Sequence, residues 1–469
     1  MKAENTQFKP SLKLMDATML VAGSMIGSGI FIVSADITRN VGSSGWLMVV
    51  WLLTGFMTLT AALSYGELSA MFPKAGGQYI YLKEAYNPLV SFLYGWSFFT
   101  VIQTATIAAV GVAFAKFTAY LIPAFNEDLV AIDLGFFQVS PAQLLAIGII
   151  VLLTYINSRG VNSGKMIQTT FTLTKLLSLF GLVVFGLIFL DTDVWAANWK
   201  NAWLLQPLTT DGSVGSYTTM AAFGAIAAAM VGSIFSSDSW HNVTFIAGEI
   251  QNPKRNIGLS LALGTIMVTV LYLLTNIMYT GLLSLHDMAY ADKDRVAVAA
   301  SHVIFGSWGT VIIALMIMVS TFGCNNGLIM AGARVYYSMA KDGLFFKKVG
   351  TLNKNSVPAF GLWIQCVFAC FWCLSGHYGD LLDMISFVVV MFYMLTITGI
   401  FILRKKRPDA NRPYKAFGYP FLPLIYIIMG MAFCVLLIIY KPNYTWPGLI
   451  ITLMGIPVYY LIEKFNKKV

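Results

Sequence analysis

The sequence predicts an all-α membrane protein with twelve transmembrane helices, and three observations support this prediction. Hydrophobic residues make up 58% of the 469 residues and charged residues only 11%, against about 25% in a soluble domain. Apolar stretches of about 20 residues, the length of a bilayer-spanning helix, recur along the whole chain. Two of these stretches are interrupted near their middle by small and polar residues. Little of the chain remains for a soluble domain.

The apolar stretches also predict which way the chain is inserted. In chain order they cover 14–34, 41–70, 89–122, 141–158, 166–190, 217–249, 257–284, 301–332, 358–376, 381–403, 420–440 and 446–463. An even number of spans places both termini on one side. Lys and Arg concentrate in the loops of that side, most densely at 404–407 and in the C-terminal tail, so both termini are expected to be cytoplasmic. This loop bias accounts for the excess of 30 Lys and Arg over 21 Asp and Glu better than nucleic acid binding does.

The two interruptions point to a binding site within the membrane. MLVAGSMIGSGIFIV is broken at Gly27, Ser28 and Gly29, and AAMVGSIFSSDSWHNVTFIAGEI stops at Phe235 and resumes near Val243. Lipid cannot pair the freed backbone groups, which must therefore line a cavity or a ligand. Matching breaks in two halves of a chain mark the binding site of secondary transporters. Spans one to five and six to ten would form those halves, with the second half inverted.

Four sequence stretches resemble a known superfamily. GSMIGSGIF resembles the first-helix motif of the amino acid–polyamine–organocation superfamily, and ALSYGELSAMFPKAGGQYIYLKEAYNPLVSFLYGW its second-to-third-helix region. FTLTKLLSL resembles its fifth helix and FSSDSWHNVTFIAGEIQNPKRNI its sixth. The closest likeness is to prokaryotic members of the L-type amino acid transporter family. The resemblance implies a LeuT-type fold of twelve helices with a 5+5 inverted repeat, discontinuous helices 1 and 6, and amino acid transport by alternating access.

The resemblance also implies a domain layout and a location. We expect a cytoplasmic N-terminal tail (1–13), a ten-helix transport core (14–403), a basic cytoplasmic loop (404–419), and helices eleven and twelve with a cytoplasmic tail (420–469). The expected location is the inner (plasma) membrane of the cell, with the lipid bilayer and a small-molecule amino acid as partners.

An amino acid zwitterion needs donors for its carboxylate and acceptors for its ammonium group. Backbone N–H groups at the start of the resumed first helix suit the carboxylate, because a helix N-terminus attracts anions. Freed carbonyls at the ends of the first half-helices suit the ammonium group, and the resemblance places the substrate's main-chain groups at these positions. The predicted substrate-binding residues are Ser24, Met25, Gly27, Ser28, Gly29, Ile30, Phe235, Ser236, Asp238 and Trp240.

Within this set, the glycines and aromatic rings each have an alternative interpretation. The glycines of the break also suit close helix packing. The resemblance implies that Phe235 closes over the substrate from outside and that Trp240 shapes the side-chain pocket. An ordinary place in the aromatic core or in an interfacial aromatic belt is the alternative for both rings.

A carboxylate at membrane depth is expensive and predicts a function for Asp238. It could cap the resumed half-helix, receive a cationic substrate side chain, or relay a proton. His241, three residues further on, is either pH-responsive or a hydrogen-bonded helix residue.

Lys175 lies in the middle of the fifth span, where snorkelling to a membrane surface explains it poorly. In sodium-coupled relatives of this fold, a cation holds helix one against helix eight. The Lys175 ammonium could replace that ion by donating to helix-one carbonyls and to the hydroxyls of Ser320 and Thr321. A proton carrier and a residue without a special role are the alternatives. Lys116, near the outer end of helix three, is interpreted as a snorkelling lysine.

Charges near the cytoplasmic ends suggest an inner gate formed by Glu67, Glu249 and Arg334. Solvated loop-end charges are the alternative. We interpret the basic run 404–407 as a topology and anionic-lipid signal and not as a binding site.

Exchange, proton symport and uniport are all compatible with these residues, and the resemblance to the L-type family favours a secondary active transporter that exchanges neutral L-amino acids without sodium. Proton-coupled or exchange transport of cationic amino acids or polyamines is the alternative, and a non-transporting amino acid sensor is the alternative from another class. An enzyme would need an intramembrane acid pair, a histidine cluster or a nucleophile set, and the four histidines are scattered. No metal, cofactor or nucleic acid is expected.

The five cysteines all lie in apolar segments and are interpreted as small buried hydrophobic residues. Mammalian L-type family members join a single-span glycoprotein through a cysteine between helices three and four. The corresponding loop, about Pro123–Ser140, contains no cysteine, so no disulfide-linked heavy chain is expected.

Overall fold

Nineteen α-helices and one short hairpin form the part of the chain that the computed structural model describes, namely residues 10, 12–74, 76–133, 138–211, 215–375 and 378–466. The first helices are α1 (Leu14–Met25), α2 (Gly29–Ile32), α3 (Ser34–Val41), α4 (Ser44–Met71), α5 (Gln78–Ala85), α6 (Pro88–Ser97), α7 (Gln103–Leu121), α8 (Pro141–Ser158), α9 (Val161–Ile188) and α10 (Thr192–Trp199). The others are α11 (Thr219–Ser236), α12 (Asn242–Phe245), α13 (Pro253–Leu282), α14 (Leu285–Ala289), α15 (Val296–Lys341), α16 (Ala359–Ser375), α17 (Tyr378–Lys406), α18 (Phe421–Tyr440) and α19 (Pro442–Asn466). Strands β1 (Ile132–Asp133) and β2 (Gln138–Val139) pair antiparallel. Most of the predicted tail 1–13, the tail lysines Lys467 and Lys468, and His377 lie outside the described residues.

Among the described residues, eleven helical segments are long and apolar enough to cross a membrane. The chain is therefore a multi-pass membrane protein. The remaining predicted span, 358–376, is the 17-residue helix α16, about 26 Å long at 1.5 Å per residue.

The local sequence explains where the membrane helices begin and bend. Helix α8 begins at Pro141 because Ser140 and Gln143 form a reciprocal capping box, and Asn87 caps α6 through the Val90 amide. Between α6 and α7 the chain makes a π-helical turn, Phe98–Ile102. Helix α15 runs for 46 residues and bends at Gly306, whose φ of 63° suits glycine.

Both predicted breaks interrupt the helical backbone. Helix α1 ends at Met25, Ile26 is extended (φ −74°, ψ 94°), and the chain becomes helical again as α2 at Gly29. Helix α11 ends at Ser236, and the chain resumes as the single turn α12. Each interruption thus falls within a residue or two of its predicted place.

Small residues allow the long helices to pack closely around these breaks. Helix α13 lies along both α4 and α1, and α15 lies along α7 and α9. A Cβ atom at Gly55 of α4 would stand 2.3 Å from Thr269 of α13, and one at Gly264 of α13 would stand 2.5 Å from Val21 of α1. Such close contacts exclude larger side chains. They surround the broken helices with protein, as the unpaired backbone requires.

Candidate functional site

Lys175 secures the broken end of α1. Its side chain on α9 is fully buried, and its ammonium group donates to the carbonyls of Gly23 and Ile26, the latter at 2.6 Å. Both carbonyls lie where the helix ends and its own amides no longer reach them. The predicted contact between this lysine and helix one is therefore present in the structure.

The predicted hydroxyl partners do not join Lys175 in this structure. Thr321 donates back to the carbonyls of Ile317 and Met318 in its own helix. The hydroxyl of Ser320 is buried and has no hydrogen-bond partner among the described residues. Helix α15 approaches the break through Cys324 instead, whose thiol lies 3.5 Å from the Ser24 carbonyl. A hydroxyl within a helix readily bonds to the carbonyl one turn earlier, which explains the difference at Thr321.

Tyr272 joins the two breaks, and sequence reasoning missed it. From α13 its hydroxyl lies 3.1 Å from the Met25 carbonyl and 3.0 Å from the Ser236 carbonyl. The ends of α1 and α11 are thereby held to one side chain. Tyr279, two turns further along α13, reaches the Ile30 carbonyl at 3.3 Å. Polar tyrosines in an otherwise apolar span were the available signal.

The breaks also touch each other directly. A Cβ atom at Gly29 would lie 1.9 Å from the Ser236 hydroxyl oxygen, so the start of α2 rests on the end of α11. Only a glycine permits this approach. A Cβ atom at Gly27 would lie 3.1 Å from the Cys324 sulfur, so this position also has little space for a side chain.

All ten predicted substrate-binding residues are buried at or beside these breaks. The Phe235 carbonyl, one predicted ammonium acceptor, already accepts the Asp238 amide at 3.2 Å. The Met25 carbonyl accepts from Tyr272. The Ser24 carbonyl is contacted by the Cys324 thiol at 3.5 Å.

Asp238 does not cap the resumed helix. The residue in the capping position of α12 is His241, and it makes no side-chain capping bond. The Tyr393 hydroxyl of α17 donates to the Asp238 carboxylate and lies 2.7 Å from Nδ1 of His241. These three buried side chains form a continuous polar chain, which we call the Asp238–Tyr393–His241 chain.

Trp240 packs in an aromatic cluster beside this chain. Its ring meets Tyr65 edge-on at 4.8 Å and Tyr393 at 5.2 Å, which are favourable aromatic distances. Asp238, Trp240 and Tyr393 line a cavity of about 20 Å³, room for about one water molecule. The expected side-chain pocket is thus contracted in this structure.

Ion pairs link the helices on the side predicted to be cytoplasmic. Arg334 of α15 lies 3.3 Å from Glu249, and both are largely buried. Glu67 does not belong to that pair. Its carboxylate forms ion pairs with Arg404 at 2.6 Å and Arg412 at 3.4 Å, and it accepts a hydrogen bond from the Ala416 amide at 2.7 Å. The basic loop is thus bound to α4 through Glu67. Our interpretation of residues 404–407 as a topology signal did not predict this contact.

The chain before α1 adds to these links. The Leu12 amide donates to the Glu249 carbonyl at 2.9 Å, and the Gln251 amide donates to the Leu12 carbonyl at 2.8 Å. Lys83 and Asp342 form a further ion pair at 2.7 Å. Backbone hydrogen bonds therefore tie the segment before α1 to the residues that follow α12, and the ion pair ties α5 to the end of α15.

A cavity of about 720 Å³ lies on the opposite side, and we call it the vestibule. Its floor includes Val33 and Gly232, which stand four residues beyond Gly29 and four before Ser236, respectively. Four residues make about one helical turn, so the vestibule ends one turn from the breaks. Lys116 lines it and faces a cavity, which corrects its interpretation as a snorkelling lysine.

A helical membrane bundle with two interrupted helices at its centre, open on one side and closed on the other, is the architecture of a membrane transporter. The family model for amino acid permeases matches residues 12–460. The chain belongs to the amino acid permease family, which is a family of membrane transporters and not of enzymes.

Three relatives illustrate the family's range. The chain is 27% identical to the mouse (Mus musculus) b(0,+)-type amino acid transporter 1 over 99% of this chain and 90% of that protein. It is 28% identical to the serine/threonine exchanger SteT of Bacillus subtilis (strain 168) over 99% of both. It is 28% identical to the human (Homo sapiens) cystine/glutamate transporter over 99% of this chain and 87% of that protein. Their names cover different amino acids, so family membership defines amino acid transport and leaves the substrate class open.

Proposed function

We propose that this protein is a secondary active transporter that exchanges neutral L-amino acids across a cell membrane without sodium, by alternating access. The observation that carries the proposal is that Tyr272 joins the two helix breaks while Lys175 bonds to the carbonyls of the first one. A transporter needs a central polar site whose walls can move relative to one another. The proposed site lies between α1, α2 and α11.

The chemistry of the break fits a zwitterion. The N–H groups that open α2, near Ser28, Gly29 and Ile30, would bind the substrate carboxylate, because the first amides of a helix lack partners within it. The Ser24 carbonyl would accept from the ammonium group. An aliphatic or small polar side chain would enter the space beside Trp240 once the aromatic cluster opens.

The fixed charge of Lys175 supports independence from sodium. An ammonium group that already donates to the Gly23 and Ile26 carbonyls occupies the acceptors that a sodium ion would use. The ammonium group would act as a permanent substitute for the ion, without help from Ser320 or Thr321 in the present conformation.

The complete architecture follows from the same proposal. Helix α16 would be the additional span, giving twelve in a LeuT-type 5+5 inverted repeat with the core at 14–403. Both termini and the basic loop 404–419 would be cytoplasmic, in the inner (plasma) membrane of the cell. No disulfide-linked heavy chain would be attached at the loop around Pro123–Ser140.

The test is counterflow in proteoliposomes loaded with an unlabelled amino acid and supplied with radiolabelled ones. Exchange of neutral amino acids should be equal in sodium and in choline buffer and unchanged by a pH gradient. Amides and N-acetyl derivatives of the same amino acids, which lack one charge, should not compete. Binding without counterflow would identify a sensor and refute the proposal, as would uptake that requires sodium.

The Asp238–Tyr393–His241 chain favours a second candidate, proton-coupled or exchange transport of cationic amino acids or polyamines. A buried carboxylate within reach of two polar side chains can bind a cationic side chain or pass a proton. Asp238→Asn should then reduce transport of L-arginine far more than that of L-serine. An equal loss for both substrates would argue against side-chain recognition at Asp238.

A further inference from the structure

The vestibule is large enough to hold an amino acid before it reaches the breaks. Its volume of about 720 Å³ lies within the range of roughly 300–1,000 Å³ found for small-molecule pockets. It is walled by α3, by the outer part of α7, by the turn of α11 that precedes its break, and by the loops that carry Asp128 and Lys293. A substrate arriving from that side must cross it.

The vestibule lining carries four cations and five acids. Three of the cations are paired within it, and the pairs are Arg39–Asp294 at 2.6 Å, Lys293–Asp128 at 2.8 Å and Lys441–Asp383 at 3.3 Å. The other two acids are second partners, each at 3.5 Å, of Arg39 and Lys293. The hydrogen bond to Asp128 raises the pKa of Lys293, so the Lys293 ammonium group stays charged in neutral solution.

Lys116 is the fourth cation of the lining. No ion pair or hydrogen bond joins its ammonium group to another residue in the described part of the chain. It lies one turn from Val112 on the same face of α7, and both residues line the vestibule. The acids that surround it are already shared among the other three cations. The cavity therefore holds one ammonium group that makes no ion pair of its own with a described residue.

We propose that the Lys116 ammonium group forms an outer subsite that binds the carboxylate of an amino acid on its way to the helix breaks. This inference rests on the proposed transport function and adds a residue and a step to it. The five acids, shared among three cations, leave negative potential for the ammonium group of the same zwitterion. The vestibule would thus hold an amino acid by both charges, with its carboxylate on Lys116.

The geometry sets the order of events. The floor at Val33 and Gly232 separates the vestibule from the breaks by about one helical turn. An amino acid bound to Lys116 would stay on the vestibule side of this floor until α2 and α11 move away from each other. Low-dielectric walls concentrate the field of a single charge in a cleft, so the subsite would raise the local substrate concentration on this side only.

The experiment measures exchange in oriented proteoliposomes, with radiolabelled L-serine, or another neutral amino acid if the counterflow panel selects one. Lys116→Gln should raise the KM for substrate at the vestibule side about tenfold, the value of one charge-assisted hydrogen bond. The KM at the opposite side and the maximal rate should not change. A general folding defect would change both sides alike. Lys116→Arg should restore the wild-type KM.

Lys200→Gln is the matched control, because Lys200 is exposed and lies outside the vestibule lining. Its KM should equal that of the wild type on both sides. If Lys116→Gln does not fold, Lys116→Met, which keeps the aliphatic length, is measured instead. An unchanged KM at the vestibule side in a transporting variant overturns the subsite alone. A wild-type protein that moves no amino acid overturns the proposed function.

Discussion

Replacing Lys175 with methionine tests the link between α9 and the break in α1. The substitution keeps a long unbranched side chain and removes two hydrogen bonds from a charged group, to Gly23 and Ile26. Hydrogen bonds to charged groups are worth about 1.5–3 kcal/mol each, and relief from burying the charge offsets part of the loss. A net loss of about 3 kcal/mol corresponds to a roughly 100-fold change in an equilibrium. We therefore expect the exchange rate to fall by about two orders of magnitude.

The assay is the initial rate of counterflow per mole of reconstituted protein, with the melting temperature in detergent as a check on folding. Leu177→Ala serves as the control, because Leu177 is two residues away on α9 and 61% exposed. It should transport at the wild-type rate. Wild-type exchange by a folded Lys175→Met protein would refute the reasoning, since the two bonds would then be dispensable.

Three further predictions follow from the contacts around the breaks and the cytoplasmic closure. Tyr272→Phe removes the hydroxyl that bridges both breaks at 3.1 and 3.0 Å and should weaken substrate binding about tenfold in an equilibrium binding assay; unchanged affinity would contradict it. Gly29→Ala should lower the melting temperature because its Cβ would stand 1.9 Å from the Ser236 hydroxyl, and adding Ser236→Gly should recover part of the loss. Arg334→Gln and Glu249→Gln should each speed the reaction of Cys324, which lies at the first break, with a thiol reagent added on the side of this ion pair. The double variant should react no faster than either single one; additive effects would mean that the two residues act separately.

Composition and the length of the apolar stretches were enough to predict the membrane helices, because a run of about twenty apolar residues is typical of a membrane-spanning helix. The break at Gly27 to Gly29 was readable for the same reason: small residues in the middle of a span remove both side-chain packing and helix propensity. Helix α16 differs, since Ala359–Ser375 is shorter than the run of apolar letters that predicted it. The short helices α5, α10 and α14 lie in loops whose mixed composition gave no periodic signal.

The site was predictable only where one segment determines it. Lys175 stood out because a lysine in the middle of a span needs acceptors, and the first break offers them. Tyr272 and Tyr393 lie 247 and 155 residues from the carbonyl of Met25 and the carboxylate of Asp238 that they bond. Their roles depend on how whole helices pack. The pairing of Glu67 with Arg404, 337 residues away, was missed for the same reason.

The central claim is that the backbone freed at the two breaks binds the charged ends of an amino acid. An experimental structure of the protein with a transported amino acid bound tests it most directly. The substrate carboxylate should lie within hydrogen-bonding distance of the amides of Ser28, Gly29 and Ile30, and the substrate ammonium group should face the Ser24 carbonyl. A substrate bound elsewhere, with the two breaks closed over each other as they are at Gly29 and Ser236, would contradict it.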